Sequence, residues 1–137
     1  MSFELTIVTP QGEAFRGPVE RVVLPGSEGE FGVLTGHERF LTPLQIGPVA
    51  IHSDGEVQWA AIAEGFAEVN GAAVTVLVES GELAADIDVA EAEHARERAE
   101  QGLASLNNDE NAKRYAAYSA AIERARVRIE VSRKAQG

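Results

Sequence analysis

Glu28 and Glu30, separated by one residue, are a pair of carboxylates that could in principle divide general-acid and general-base work. That chemistry needs a pocket that shifts the two groups apart. Neither is expected beside a buried one, and a solvated turn is the simpler account of both. His37, His52 and His94 are too scattered to form a local metal set, so solvated or partner-contacting roles are expected for His52 and His94. No serine stands in a nucleophile-elbow context, and GSEGEFG matches neither a phosphate loop nor a dinucleotide fingerprint. The absence of cysteine removes disulfides, thiolate metal sites and thiol catalysis. No catalytic residue and no metal ligand is expected.

The most pointed charge feature is Arg124, Arg126, Arg128, Arg133 and Lys134. One reading is a solvated helix face near a helix C-terminus, where cations suit the dipole. The other is a basic docking surface for an acidic partner or a nucleotide phosphate. Upstream, Asp88 followed by Glu91 at the third position is a capping pair that starts a helix.

These residues sit on two kinds of element. Up to about residue 80 the apolar period is two: Phe3, Leu5 and Ile7 alternate with polar neighbours, and the pattern resumes at Val19 and Val23 after an expected turn at Gly17-Pro18. Asp54-Gly55 and Asn70-Gly71 mark hairpin turns between apolar runs. Residues 24–44, LPGSEGEFGVLTGHERFLTPL, are dense in glycine and proline, as strands joined by tight turns require. Short strands at such spacing predict an all-β sandwich or barrel.

From Asp86 the period becomes helical. Ala92, Ala95, Ala99, Leu103 and Leu106 form one stripe, and Tyr115, Tyr118, Ile122, Ala125 and Ile129 another, ending near Arg133. Asn107-Asn108-Asp109 breaks the two, and so short a break predicts an antiparallel helical hairpin. The fold class is therefore α+β, with a flattened sandwich over residues 1–84 and a helical hairpin over 85–137. The alanine stripe buries little carbon, so the hairpin is expected to be weakly held.

The net charge of −10 lies unevenly: residues 1–86 carry 13 acidic and 3 basic side chains, whereas 87–137 carry 9 of each. So acidic a first segment argues against nucleic acid or anionic lipid as a partner. No apolar run approaches the roughly 20 residues that cross a bilayer, and MSFELTIV lacks the basic start and long apolar core of a signal peptide.

The order LPGSEGEFGVLTGHERFLTPL, then EGFAEVNGAAVTVLVES, then IDVAEAEHARERAEQGL and a second helix resembles the epsilon subunit of bacterial F-type ATP synthases. The Gly-Glu-x-Gly-x-x-x-Gly-His run (Gly29, Glu30, Gly32, Gly36, His37) is specific when coupled to the helices. The resemblance implies a non-catalytic central-stalk subunit, peripheral on the cytoplasmic face of the cell inner membrane. Its role would be to couple proton or sodium flow to ATP synthesis and to brake ATP hydrolysis through mobile C-terminal helices. It implies contacts with the gamma subunit and the c-subunit ring, and with the catalytic beta and alpha subunits when the hairpin extends, without nucleic acid or lipid insertion. Glu28, Glu30 and Phe31 would face the ring, and His37, Phe40 and Thr42 the gamma subunit.

Three positions depart from the family pattern: Thr35 replaces a proline, Glu64-Gly65 replaces Gly-Gly, and Glu91 replaces the arginine of relatives that bind ATP on the hairpin. The first two are expected to alter turn rigidity. Ile87, Asp88, Ala92, Arg96, Arg124 and Arg128 still match that nucleotide site, but a carboxylate at 91 repels phosphate, so no cofactor and at most weak ATP binding is expected. Two rival readings come from the residues alone. One is a sandwich binding module with a helical dimerisation tail, and the other a small hydrolase using Glu28 and Glu30.

Overall fold

The computed structural model describes residues 1–36, 38–106 and 112–137. Among these, the strands are β1 (Phe3–Thr9), β2 (Gly12–Val19), β3 (Arg21–Gly26), β4 (Gly29–Leu34), β5 (Phe40–Leu44), β6 (Gly47–Ser53), β7 (Glu56–Ile62), β8 (Gly65–Asn70), β9 (Ala73–Val78) and β10 (Gly81–Leu83). A 3-10 turn over Ala84–Asp86 leads to α1 (Val89–Ala104) and α2 (Ala112–Gln136). The helical break at Asn107-Asn108-Asp109 and the contact expected of His37 fall outside the described residues.

Local chemistry sets the reversals. Asp54 and Gly55 both take positive φ (54° and 77°), as a two-residue type I′ hairpin between β6 and β7 demands. The β8–β9 hairpin is built differently: the Asn70 side chain accepts hydrogen bonds from the amides of Ala72 (3.2 Å) and Ala73 (3.0 Å). The expected turn at Gly17-Pro18 is not one. Both residues lie inside β2, opposite Leu5 and Glu4. Because β2 ends the sheet path, a proline lacking N–H is tolerated there. The chain reverses instead at residues 9–12, where the Thr9 hydroxyl accepts from the Gln11 amide at 3.1 Å.

The hydrogen-bonded order is β10-β7-β6-β3-β5-β8-β9-β1-β2, with β4 also on β3. All pairs are antiparallel except β1–β9, which is parallel. The path folds over where β3 passes from β6 to β5 through the single pair Gly26–Leu44. A Cβ at Gly26 would lie 2.6 Å from the Gly29 carbonyl oxygen, and one at Gly47 would lie 2.6 Å from Pro25 Cβ. Gly26 and Gly47 thus serve close approach at this corner, whereas Gly29 and Gly36 supply positive φ (129° and 86°). The two halves close on one core containing Leu5, Ile7, Leu24, Ile51, Val69 and Val76, each at most 1 % exposed.

α2 lies on the outer face of the β6–β7 half, where Val127 and Val131 pack with Ala61, Trp59 and Ile46. α1 packs chiefly on α2, antiparallel to it: Ala92 and Ala99 are buried along the seam, and a Cβ at Gly102 would collide with the Tyr118 ring. α2 therefore carries two apolar faces, one for each neighbour. The stripe read from sequence covers the α1 side; Val127 and Val131, out of its phase, form the other. The helix also runs on to Gln136, past Arg133.

Candidate functional site: the helix clasp and the outer sheet face

The Asp88 carboxylate accepts from the Glu91 amide at 3.0 Å, the cap expected from the sequence. This fixes Glu91 in the first turn of α1, with its side chain turned to α2. There the Glu91 carboxylate accepts from Arg128 Nη1 at 2.6 Å, while Glu82 on β10 accepts from Arg128 Nε at 2.5 Å and Nη2 at 3.3 Å. Burial alone would lower the Arg128 pKa, but hydrogen bonds to Glu91 and Glu82 outweigh it and hold the group above its ordinary value. One guanidinium thus joins a strand and two helices. The sequence marks Glu91 as the partner of the Asp88 cap and as a departure from the nucleotide-binding relatives; its pairing with Arg128, 37 residues on, is visible only in the fold.

Beside the clasp, Ser80, Glu82, Ala95, Ala121, Arg124 and Arg128 border a groove of about 240 Å³. Arg96 is not there. It borders a wider groove of about 620 Å³ on the other flank of the hairpin, with Arg126, Ile129, Glu130, Arg133 and Lys134, and pairs with Glu100 at 3.4 Å. One residue past Ala95 turns a helix by about 100°, which carries Arg96 across the seam. The set expected to converge on a nucleotide is therefore divided. Ala92 is fully buried in the seam and Ile87 packs beneath α2.

The basic run also divides. Arg128 is consumed by the clasp, and Lys134 Nζ lies 4.7 Å from the centre of the Trp59 ring. Arg126 is 63 % exposed and pairs with its helical neighbour Glu123 at 3.3 Å, while Arg133 is exposed. The solvated-face reading fits these two; the clasp and the ring contact belong to neither reading.

On the sandwich, Glu28 and Glu30 are exposed, and Glu30 borders a shallow groove of about 210 Å³ with Arg21, Pro48, His52 and Trp59. Phe31 and Phe40 are not presented outward. Their rings meet edge to face, centroids 6.0 Å apart, and both pack against the core. Thr42 shares the inward side of β5. The outward neighbours are Leu41, 66 % exposed, and Pro43. In register with Pro43 stand Phe66 on β8 (52 % exposed) and Leu77 on β9 (50 %), with half-buried Val8 next on β1. An apolar row across four strands on an outer face is the feature of a contact surface. The signal for it was apolar residues in both phases of β8 and β9, Phe66 against Ala67 and Leu77 against Val76.

Among the described residues no group of three His, Asp or Glu side chains could hold a metal. No described helix is long and apolar enough to cross a membrane.

Residues 2–84 match the family model of the ATP synthase delta/epsilon chain beta-sandwich domain, and residues 85–133 that of its long alpha-helix domain. A protein named ATP synthase epsilon chain from Geotalea uraniireducens is 42% identical over 132 residues, covering 96% of this chain and 94% of its own. One of the same name from Nitratidesulfovibrio vulgaris Hildenborough is 44% identical over 128 residues, covering 93% and 96%. Among solved structures, a chain of the Euglena gracilis mitochondrial ATP synthase OSCP/F1/c-ring assembly has a similar fold, with a TM-score of 0.76 at 24% identity over 99% of this chain and 82% of that one. A chain of the Tetrahymena thermophila mitochondrial ATP synthase central stalk and c-ring gives 0.65 at 19%, over 96% and 97%.

Proposed function

The chain belongs to the ATP synthase delta/epsilon family, and from that premise we propose that it is the central-stalk epsilon subunit of a bacterial F-type enzyme, coupling ion flow to ATP synthesis and braking ATP hydrolysis through its helices. The observation that carries this reading is the match of both halves, in order, over residues 2–133. On this reading the sandwich is the fixed part. Its apolar row of Pro43, Phe66 and Leu77 docks on the gamma subunit, and the exposed turn with Glu28 and Glu30 meets the polar loops of the c-ring. The complex holds the chain peripherally on the cytoplasmic face of the membrane. The subunit does no bond-making chemistry of its own.

The hairpin is the regulatory part, permissive when folded on the sandwich and inhibitory when extended toward the catalytic subunits. Its separability is supported by the core: the cluster under α2 is small and distinct from that inside the sandwich. Removing residues 85–137 from the chain in a reconstituted complex tests this. The shortened chain is expected to copurify with the stalk while ATP hydrolysis rises at least about fivefold, the low end of regulatory couplings. Unchanged hydrolysis would overturn the brake, and loss of copurification would overturn the sandwich as the anchor.

Nucleotide has a minor place in this reading, because Glu91 occupies Arg128 and Arg96 lies on the opposite flank. Titration calorimetry on the chain as it stands is expected to show no saturation at micromolar ATP. Glu91→Arg should improve affinity by about tenfold, the low end of one charge-assisted bond's worth. Micromolar saturation of the unchanged chain would show that Glu91 does not block the site.

A further inference from the structure

α1 is anchored to the sandwich chiefly through α2. Its seam with α2 is made of alanines that bury few carbons each. Stepwise departure would therefore be expected, α1 peeling away first while α2 stays on the sheet through Val127 and Val131. The clasp opposes that order. Arg128 stands on α2, yet its Nε–Nη2 edge is taken by Glu82 of the sheet and its Nη1 by Glu91 of α1. A guanidinium is planar and rigid, so both bonds depend on one side-chain position. It is also the better buried partner, its side chain 21 % exposed against 33 % for Glu82 and 51 % for Glu91. When α1 withdraws Glu91, the half-buried guanidinium loses the partner of its Nη1, so an intermediate with α1 out and α2 still in place is disfavoured.

We propose that the Glu82–Arg128–Glu91 clasp couples the two helices, so that α1 and α2 leave and rejoin the sandwich as one cooperative unit. The coupling deepens the regulatory reading above and rests on the hairpin being releasable. It assigns the two carboxylates separate tasks. Glu82 holds the hairpin to the sandwich, and Glu91 holds α1 to α2.

Hydrogen exchange on the isolated full-length chain tests the coupling without requiring stalk membership, which copurification tests separately. In the unchanged chain, amides of α1 and of residues 125–132 are expected to share one opening constant. Glu91→Gln should raise exchange in α1 roughly tenfold, by loss of one charged hydrogen bond, and leave residues 125–132 unaltered. Glu82→Gln should raise exchange in both helices together and shift the emission of Trp59, the single tryptophan, toward that of a wetter ring. Glu123→Gln, which removes an exposed pair within α2, is the control and should change neither. Molar salt should shrink the difference between Glu91→Gln and the unchanged chain. The coupling is overturned if α1 already exchanges much faster than residues 125–132 in the unchanged chain. It is equally overturned if Glu91→Gln behaves like Glu123→Gln.

Discussion

Gly65→Ala is expected to lower the stability of the isolated chain by on the order of 3 kcal/mol, at the upper end of overpacking effects. Gly65 opens β8 between two neighbours, facing Leu44 of β5 and Val78 of β9. A Cβ there would run into the Leu77 carbonyl oxygen and lie 2.8 Å from Val78 Cα and 2.9 Å from the Leu77 carbonyl carbon. All three are backbone atoms of a paired strand, so no side chain can swing aside. The strand itself must move, and with it Val76 and Val78 in the core. For a domain of this size such a loss lowers the melting temperature by roughly 10–20 °C. Thermal unfolding followed by circular dichroism checks it, with Gly71→Ala as the control, since nothing lies within 4 Å of a Cβ at Gly71. A melting temperature equal to the control's would mean that β9 yields at no cost.

Phe66→Glu should do the opposite: leave the fold intact and abolish assembly. Phe66 is 52 % exposed between Pro43 and Leu77, so a carboxylate there stays solvated in the free chain. Surface changes of this kind stay within about 0.5 kcal/mol. Under a docked partner the same carboxylate would be buried without a counter-charge. Central aromatic anchors commonly contribute 2 kcal/mol or more, so affinity for the stalk should fall at least about thirtyfold. Competition between the variant and the unchanged chain for incorporation into the complex measures this directly. Equal incorporation with an unchanged melting temperature would remove the row from the docking surface.

The sandwich and hairpin were legible because period-two and helical patterns are local, and so was the Asp88 cap, which spans three residues. What stayed hidden depends on pairings distant in sequence. Gly65 next to Glu64 reads as no more than a change in turn rigidity until β9 is laid beside it. The resemblance puts Phe31 and Phe40 at subunit contacts, but the fold turns both rings toward the core and leaves Leu41 and Pro43 outside. Glu91 lies beside its cap in sequence and beside Arg128 only in space. The charge run on α2 looked uniform because consecutive letters of a helix point in different directions, which sends Arg128 to one flank and Arg126 to the other.

The parallel ladder between β1 and β9 also sets the order in which the molecule can be made. Glu4 pairs with Ala73 and Val8 with Leu77, so the first strand to leave the ribosome waits for nearly the last strand of the sandwich. Hairpins such as β6–β7 and β8–β9 can close locally in the meantime, but a ladder joining such distant segments is entropically costly and slow to form. Until it closes, β1 and β2 have no sheet to join and the core lacks Leu5 and Ile7. The hairpin, synthesised last, then arrives at an outer face already built.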